Sequence, residues 1–211
     1  MKLDQIGAAV VVVAFVVVTA VIAWWPPPAE GCRAAIGYRD NVPLDQQLGS
    51  WAWTLPWLVA GYDEVEIFTA TASNDKRADW TDALADAADD NCEVDLYIFA
   101  HGDDYASWIE QAPRRPALRL VYDTGAGDAR QGHRWIAAGA GAFVGHPGGN
   151  IAPVWFGFFL PEWMTGSSVD DATATANAKT RTFIDTFGID ASGRLWRGTK
   201  AVGFGDVGMS R

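Results

Sequence analysis

Basic residues are sparse in this chain: 16 Lys and Arg stand against 26 Asp and Glu in 211 residues, a formal net charge of −10, with no dense cluster of cations. Phosphate backbones are held by clustered Lys and Arg, so nucleic acid is excluded as a partner. The acidity itself reports mainly on solubility. Histidines number three and cysteines two, and no tight metal-ligand motif such as H-E-x-x-H occurs. A loose set drawn from His101, His133 and His146 with Asp103, Asp123 or Asp128 is the remaining route to a metal. The sequence implies neither a metal nor a cofactor. No internal repeat and no second domain is visible, so the length suits one domain plus an appendage, with enough chain to bury a substantial core.

The appendage is at the start. Residues Ile6 to Trp25 form an uncharged run, IGAAVVVVAFVVVTAVIAWW, and about 20 residues at ~1.5 Å rise span the roughly 30 Å hydrocarbon core of a bilayer. The expectation is an N-terminal membrane anchor over 1–25, with Trp24 and Trp25 at the interface and Pro26-Pro27-Pro28 ending the helix as a stiff spacer over 26–32. A cleaved signal peptide is the rival reading. The apolar stretch exceeds the usual h-region of about 7–15 residues, and only Lys2 precedes it. Cys32 does not follow a Leu-rich lipobox, and Glu30 is out of place for one. Lys2 lies on one side of the span and Arg33 and Arg39 on the other, so the positive-inside rule does not orient it.

Beyond the spacer, residues 33–211 alternate apolar runs with helical patterns. Strands are expected at Ala34–Tyr38, Val65–Ala70, Glu93–Ala100, Leu118–Tyr122 and Ala142–Gly145, with a sixth edge strand near Ala201–Phe204. Helices are expected over Leu44–Ala60, with Pro56 breaking or kinking it, and over Asp75–Asp90, Tyr105–Gln111, Gln131–Ala138, Ala152–Met164 and Val169–Phe187. Ser167 or Ser168 would cap the last, with Asp170 and Asp171 in its first turn. Strand alternating with helix specifies an α/β fold: a mainly parallel five- or six-stranded sheet with helices on both faces. Of the eleven tryptophans, the nine from Trp51 onward are expected to fill the core and the helix–sheet seams of such a fold.

Two strand ends carry the functional signal. Asp95-Leu-Tyr-Ile-Phe-Ala-His101-Gly102-Asp103 puts a histidine just past a buried strand, and Leu118-Arg-Leu-Val-Tyr-Asp-Thr-Gly125-Ala126-Gly127-Asp128 puts a Gly-rich turn past the next. Residues at the carboxyl ends of neighbouring parallel strands converge on one crevice. Together the segments resemble the caspase-like cysteine peptidases, clan CD, the caspase, metacaspase and clostripain group. The resemblance covers roughly residues 33–185. It implies that His101-Gly102 corresponds to the family's general base and that the Thr124 to Asp128 turn corresponds to its nucleophile loop. Ala126 then stands where the cysteine should be, and a methyl group cannot become a thiolate. The resemblance also implies the strand order 2-1-3-4, which makes the first and third strands neighbours. Cys32 and Cys92 precede those strands, so they would lie at one edge of the sheet, close enough to pair, as two unrelated buried thiols otherwise. A disulfide would place the domain in periplasmic or extracellular space.

Around His101, Gly102 allows close approach of the backbone, and Asp103 or Asp104 would fix the imidazole tautomer as the third member of a triad does. The plain alternative is a strand-capping histidine that bonds a loop. Thr124 is the single hydroxyl in the turn; a turn-forming role competes with use as a nucleophile. Gly102, Gly125 and Gly127 could present N–H groups as an anion-binding nest, or simply form the turn. The expected function is a membrane-anchored, single-pass, caspase-like pseudopeptidase that binds a peptide or protein partner at the His101 crevice. The alternatives are an active hydrolase using His101 with another nucleophile, and a structural envelope protein.

Overall fold

Short apolar runs flanked by amphipathic segments become, in the computed structural model, a single six-stranded sheet between two helical layers. The structure describes residues 32–40, 54–71, 75–90, 92–100, 105–111, 116–125, 128–190 and 192–205. The strands are β1 (Arg33–Arg39), β2 (Glu64–Thr69), β3 (Glu93–Phe99), β4 (Ala117–Asp123), β5 (Ala142–Gly145) and β6 (Val202–Gly205). Their order is β2-β1-β3-β4-β5-β6. The first five are parallel, and β6 closes the edge antiparallel to β5. All of β1 and β5, and all but the first residue of β3 and β4, are buried, as expected of parallel strands covered on both faces.

One face carries α1 (residues 54–61), α5 (Ala152–Met164) and α6 (Val169–Phe187), packed on Ala35, Tyr97, Phe99, Leu120, Tyr122 and Val144. The other carries α2 (Arg77–Asp89), α3 (Tyr105–Glu110) and α4 (Gly132–Ala137), packed on Ala34, Ile36, Tyr38, Leu96, Ile98 and Val121. Alternate strand residues thus feed opposite layers. In α2, Trp80, Ala83, Leu84 and Ala87 recur at helical spacing and are all buried. In α5, Trp155, Phe159 and Trp163 stack in sequence at 5.0 and 6.2 Å between ring centroids, while Phe156 stacks on Tyr122 of β4 at 4.8 Å. The tryptophans at 57, 80, 135, 155 and 163 are buried, as the core reading requires.

Helix ends follow their residues. Ser168 caps α6 by accepting the Asp171 N–H at 3.1 Å, Asp170 and Asp171 occupy the first turn, and Gly188 stops the helix in the left-handed region at φ 61°. Asn177 on α6 accepts the Trp155 indole N–H at 2.9 Å and exchanges two 3.0 Å bonds with the backbone of Ala201, which fixes where β6 begins. Two expectations change. Residues 54–61 continue as helix through Pro56, and residues 41–53 lie outside the described set. The Gly-rich tail, for which the sequence predicts an edge strand alone, also holds a short helix, α7 (Arg194–Thr199), beside α6. The register of β3 against β4 shifts between Val94 and Asp95, so that Arg119 is an extra residue in β4. This bulge turns Arg119 to the same face as Leu120 and Asp95. Arg119 Nε donates to Asp95 Oδ1 at 2.9 Å and Nη2 donates to Oδ2. Asp95 also accepts from Tyr62 at 2.5 Å and from the Trp163 indole at 2.8 Å, and Tyr97 donates to Tyr62 at 2.5 Å. The carboxylate is wholly buried.

Cys32 and Cys92 are joined, with Cα atoms 4.6 Å apart. The pairing of β1 with β3 brings them together, and Glu93 N–H donates to the Cys32 carbonyl at 3.0 Å. A loop of 60 residues closed in this way is worth about 4 kcal/mol in the chain-entropy picture. Among the described residues no helix is long and apolar enough to cross a membrane; the run from Ile6 to Trp25 lies outside them.

Candidate functional site at the carboxyl edge of the sheet

β3 and β4 run side by side to the carboxyl edge, where Ile98 is in register with Asp123. Thr124 then binds the two strand ends together. Its N–H donates to the Ile98 carbonyl at 2.9 Å, and its Oγ1 accepts the Ala100 N–H at 3.2 Å. Its own carbonyl accepts from Asn150 Nδ2 at 3.0 Å. Asp123 turns back so that Oδ1 accepts the Gly125 N–H at 3.0 Å, an Asx turn that starts the Gly-rich segment. A 3₁₀ turn, Asp128–Gln131, leads on into α4.

Ala100 directly precedes His101, and Gly125 directly precedes Ala126. His101, Gly102, Asp103, Asp104, Ala126 and Gly127 lie outside the described residues, as does the side chain of Asp128. The described flanks of the two segments are therefore hydrogen-bonded neighbours. Thr124 is 9 % exposed and its hydroxyl oxygen is engaged with Ala100, so it serves the turn. The Gly125 N–H is already donated to Asp123, which removes it from an anion nest.

Two residues at this edge, Arg39 and Asn150, carry no site role in the sequence reading. Arg39 ends β1 opposite Phe99, is 1 % exposed, and holds its guanidinium 5.6 Å from the Phe99 ring centre. Burial lowers its pKa to about 10. Asn150 bridges the β4 turn to the start of α5, because Oδ1 accepts the Ala152 N–H at 3.0 Å while Nδ2 donates to Thr124. An Asn two residues before an apolar helical run is the signal that could have flagged it.

His146, just past β5, is fully buried, with Nδ1 2.7 Å from the Thr199 carbonyl and Nε2 3.0 Å from the Tyr122 hydroxyl. A carbonyl only accepts, so Nδ1 carries the proton and the neutral ring accepts from Tyr122. Burial pushes its pKa down to about 4, against the partial support of the Thr199 carbonyl. Burial and nearby Asp123 raise that of Tyr122, which keeps the hydroxyl protonated as a donor. Thr199 is in place because α7 docks on the turn after β5. A Cβ at Gly198 would lie 2.0 Å from the Gly149 carbonyl oxygen, so only glycine permits that approach.

The loose histidine and carboxylate set is not assembled among the described residues. His146 is held by Tyr122 and Thr199, and His133 lies edge-on to Phe204 with ring centres 5.0 Å apart. The one group of three potential metal donors among the described residues is Cys32, Glu64 and Cys92, whose two sulfurs are bonded to each other. Trp108 packs against Tyr38, Trp80 and Tyr105, and Trp135 is buried in the core of the same layer. With both cysteines of the chain joined at the amino edge of the sheet, no thiol remains to act as a nucleophile. A comparison with protein-family models and with curated proteins finds no match to this chain.

Proposed function

We propose that this chain is a membrane-anchored, caspase-like domain that binds a peptide or protein segment at the carboxyl edge between β3 and β4 and does not act as a cysteine peptidase. The observation that carries the reading is the division of the sheet into two ends. The only two cysteines are bonded to each other at the amino edge, while the His101 segment and the Gly-rich turn leave the opposite edge from strand ends tied by Thr124. The strand order β2-β1-β3-β4 is the one the family resemblance implies, which supports the same reading. The six-residue link from Trp25 to Cys32 would hold the domain close to the bilayer, and the disulfide favours a periplasmic or extracellular location.

The test is an electrophilic peptide probe applied to wild type, Ala126→Cys and Ala126→Cys/His101→Ala. A thiol beside a neutral histidine becomes a nucleophile, so labelling is expected in the single variant alone. Labelling of wild type that disappears in His101→Ala would reveal a working nucleophile and overturn the reading. Absence of labelling in all three, with no peptide retained by wild type, would favour a purely structural domain.

A further inference from the structure

The amino edge of the sheet gathers donor groups that the opposite crevice does not use. Cys32 and Cys92 lie one residue before Arg33 and Glu93, which are in register across β1 and β3, and Ala34 of β1 is in register with Glu64 of β2. Alternation sends all three side chains to the α2 side of the sheet: Cys92 sits in the core with Ala34 and Ala87, Cys32 packs against it, and Glu64 faces Ala87. The two sulfurs and a Glu64 carboxylate oxygen lie within 4.8 Å of one another. Cys92 is buried, Cys32 half-buried and Glu64 exposed, so the fold holds the group while solvent reaches it from one side.

Glu64 also lines a recess of about 20 Å³ together with Glu66 and with Asp86 of α2. That is room for one water molecule or a bare cation. Among the described residues, none of the three carboxylates has a salt bridge or a side-chain hydrogen bond. The negative charge beside the sulfurs is therefore uncompensated. Two thiolates and a carboxylate suit a borderline-soft tetrahedral ion of the zinc class, whereas calcium and magnesium take oxygen donors. Bonds of about 2.3 Å to sulfur and ~2.1 Å to oxygen set donors roughly 3.6 Å apart around such an ion. Side-chain rotation reaches that spacing once the sulfurs are free, and the fourth position is left to water.

We propose that Cys32, Cys92 and Glu64 form a binding site for a thiophilic divalent cation of the zinc class when the Cys32–Cys92 bond is reduced. A dithiol reductant gives two electrons and two protons to that bond and closes to its own disulfide. The cation then displaces both thiol protons to buffer as the two sulfur–metal bonds form. The same edge of the sheet is thus stapled in either kind of compartment, by a disulfide where it is oxidising and by a metal where it is reducing. The site lies at the other end of β3 from the His101 segment and stands whether or not a peptide binds there.

The test uses the full chain in detergent micelles, reduced with a phosphine, freed of it by anaerobic gel filtration and titrated with Co²⁺. Thiolate charge-transfer and tetrahedral ligand-field bands report the donors. Wild type is expected to take up one Co²⁺ per chain with both bands, to lose them to Zn²⁺, and to unfold at a higher temperature when loaded. The oxidised chain is expected to give no bands. Glu64→Gln, its fold checked by circular dichroism in the oxidised form, is expected to bind at least about tenfold more weakly, since even outer-shell losses cost about 10–100-fold. Reduced wild type without a charge-transfer band, folded or not, would overturn the site. Co²⁺ affinity unchanged by Glu64→Gln, or unchanged in denaturant, would show two thiols binding without help from the fold, and would overturn it too.

Discussion

Asp95 shows how far one residue can depend on a shift of register. It sits within β3, in a run where every other side chain is apolar or aromatic after Glu93, and nothing in its own neighbourhood announces a partner. The partner comes from the bulge, which gives Arg119 and Leu120 the same face. Burial opposes the charge of Arg119, yet Asp95 beside it carries the net pKa shift upward, while burial and then Asp95 raise Tyr62. Removing one member of a buried pair strands the other. Asp95→Leu is therefore expected to destabilise the domain by about 3–5 kcal/mol, and Asp95→Leu/Arg119→Met to recover much of that, as denaturant midpoints at constant m would report. Additive single effects would contradict the coupling. Alternation of apolar residues predicts which layer a strand residue faces, but a bulge is a tertiary compromise, and strict alternation cannot put Arg119 and Leu120 on one face.

At the scale of elements, most of the chain was legible. The five parallel strands, the edge strand and helices α2 to α6 follow from period and from caps such as Ser168 and Gly188. They are long or strongly patterned enough for local chemistry to decide. α7 was not legible, since six residues in a Gly-rich tail owe their helix to docking: Gly198 against Gly149, and the Thr199 carbonyl on His146. That junction has a pH signature. His146 titrates near 4 when folded, below its ordinary 6.5, so between those values an unfolded chain takes up a proton that the folded one refuses. Stability from this group is therefore present above about pH 6.5 and falls by up to about 3 kcal/mol as pH drops toward 4. The gap in unfolding free energy between wild type and His146→Gln should narrow by that amount between pH 7 and 4. A gap that does not change with pH would remove His146 from the account.

For the whole molecule, the sheet separates its two edges by chemistry. The amino edge holds the disulfide and the entry from the N-terminal segment; the carboxyl edge holds Arg39, Thr124, Asn150 and the two chain segments that leave β3 and β4. The sequence pointed to this edge through His101-Gly102 and the Gly-rich turn, because Gly and His past buried strands are visible as pattern. It did not reveal Arg39 or Asn150, whose roles depend on what the neighbouring strand and loop bring. The central claim is that positions 101 and 126 face each other across the crevice. The most direct measurement is cross-linking of His101→Cys/Ala126→Cys by a short bifunctional thiol reagent under non-reducing conditions, with the Cys32–Cys92 bond intact. The account predicts an intramolecular bridge linking the peptides that contain 101 and 126, in the double variant alone. Two thiols that each react singly with the reagent, with no bridge formed between them, would contradict it.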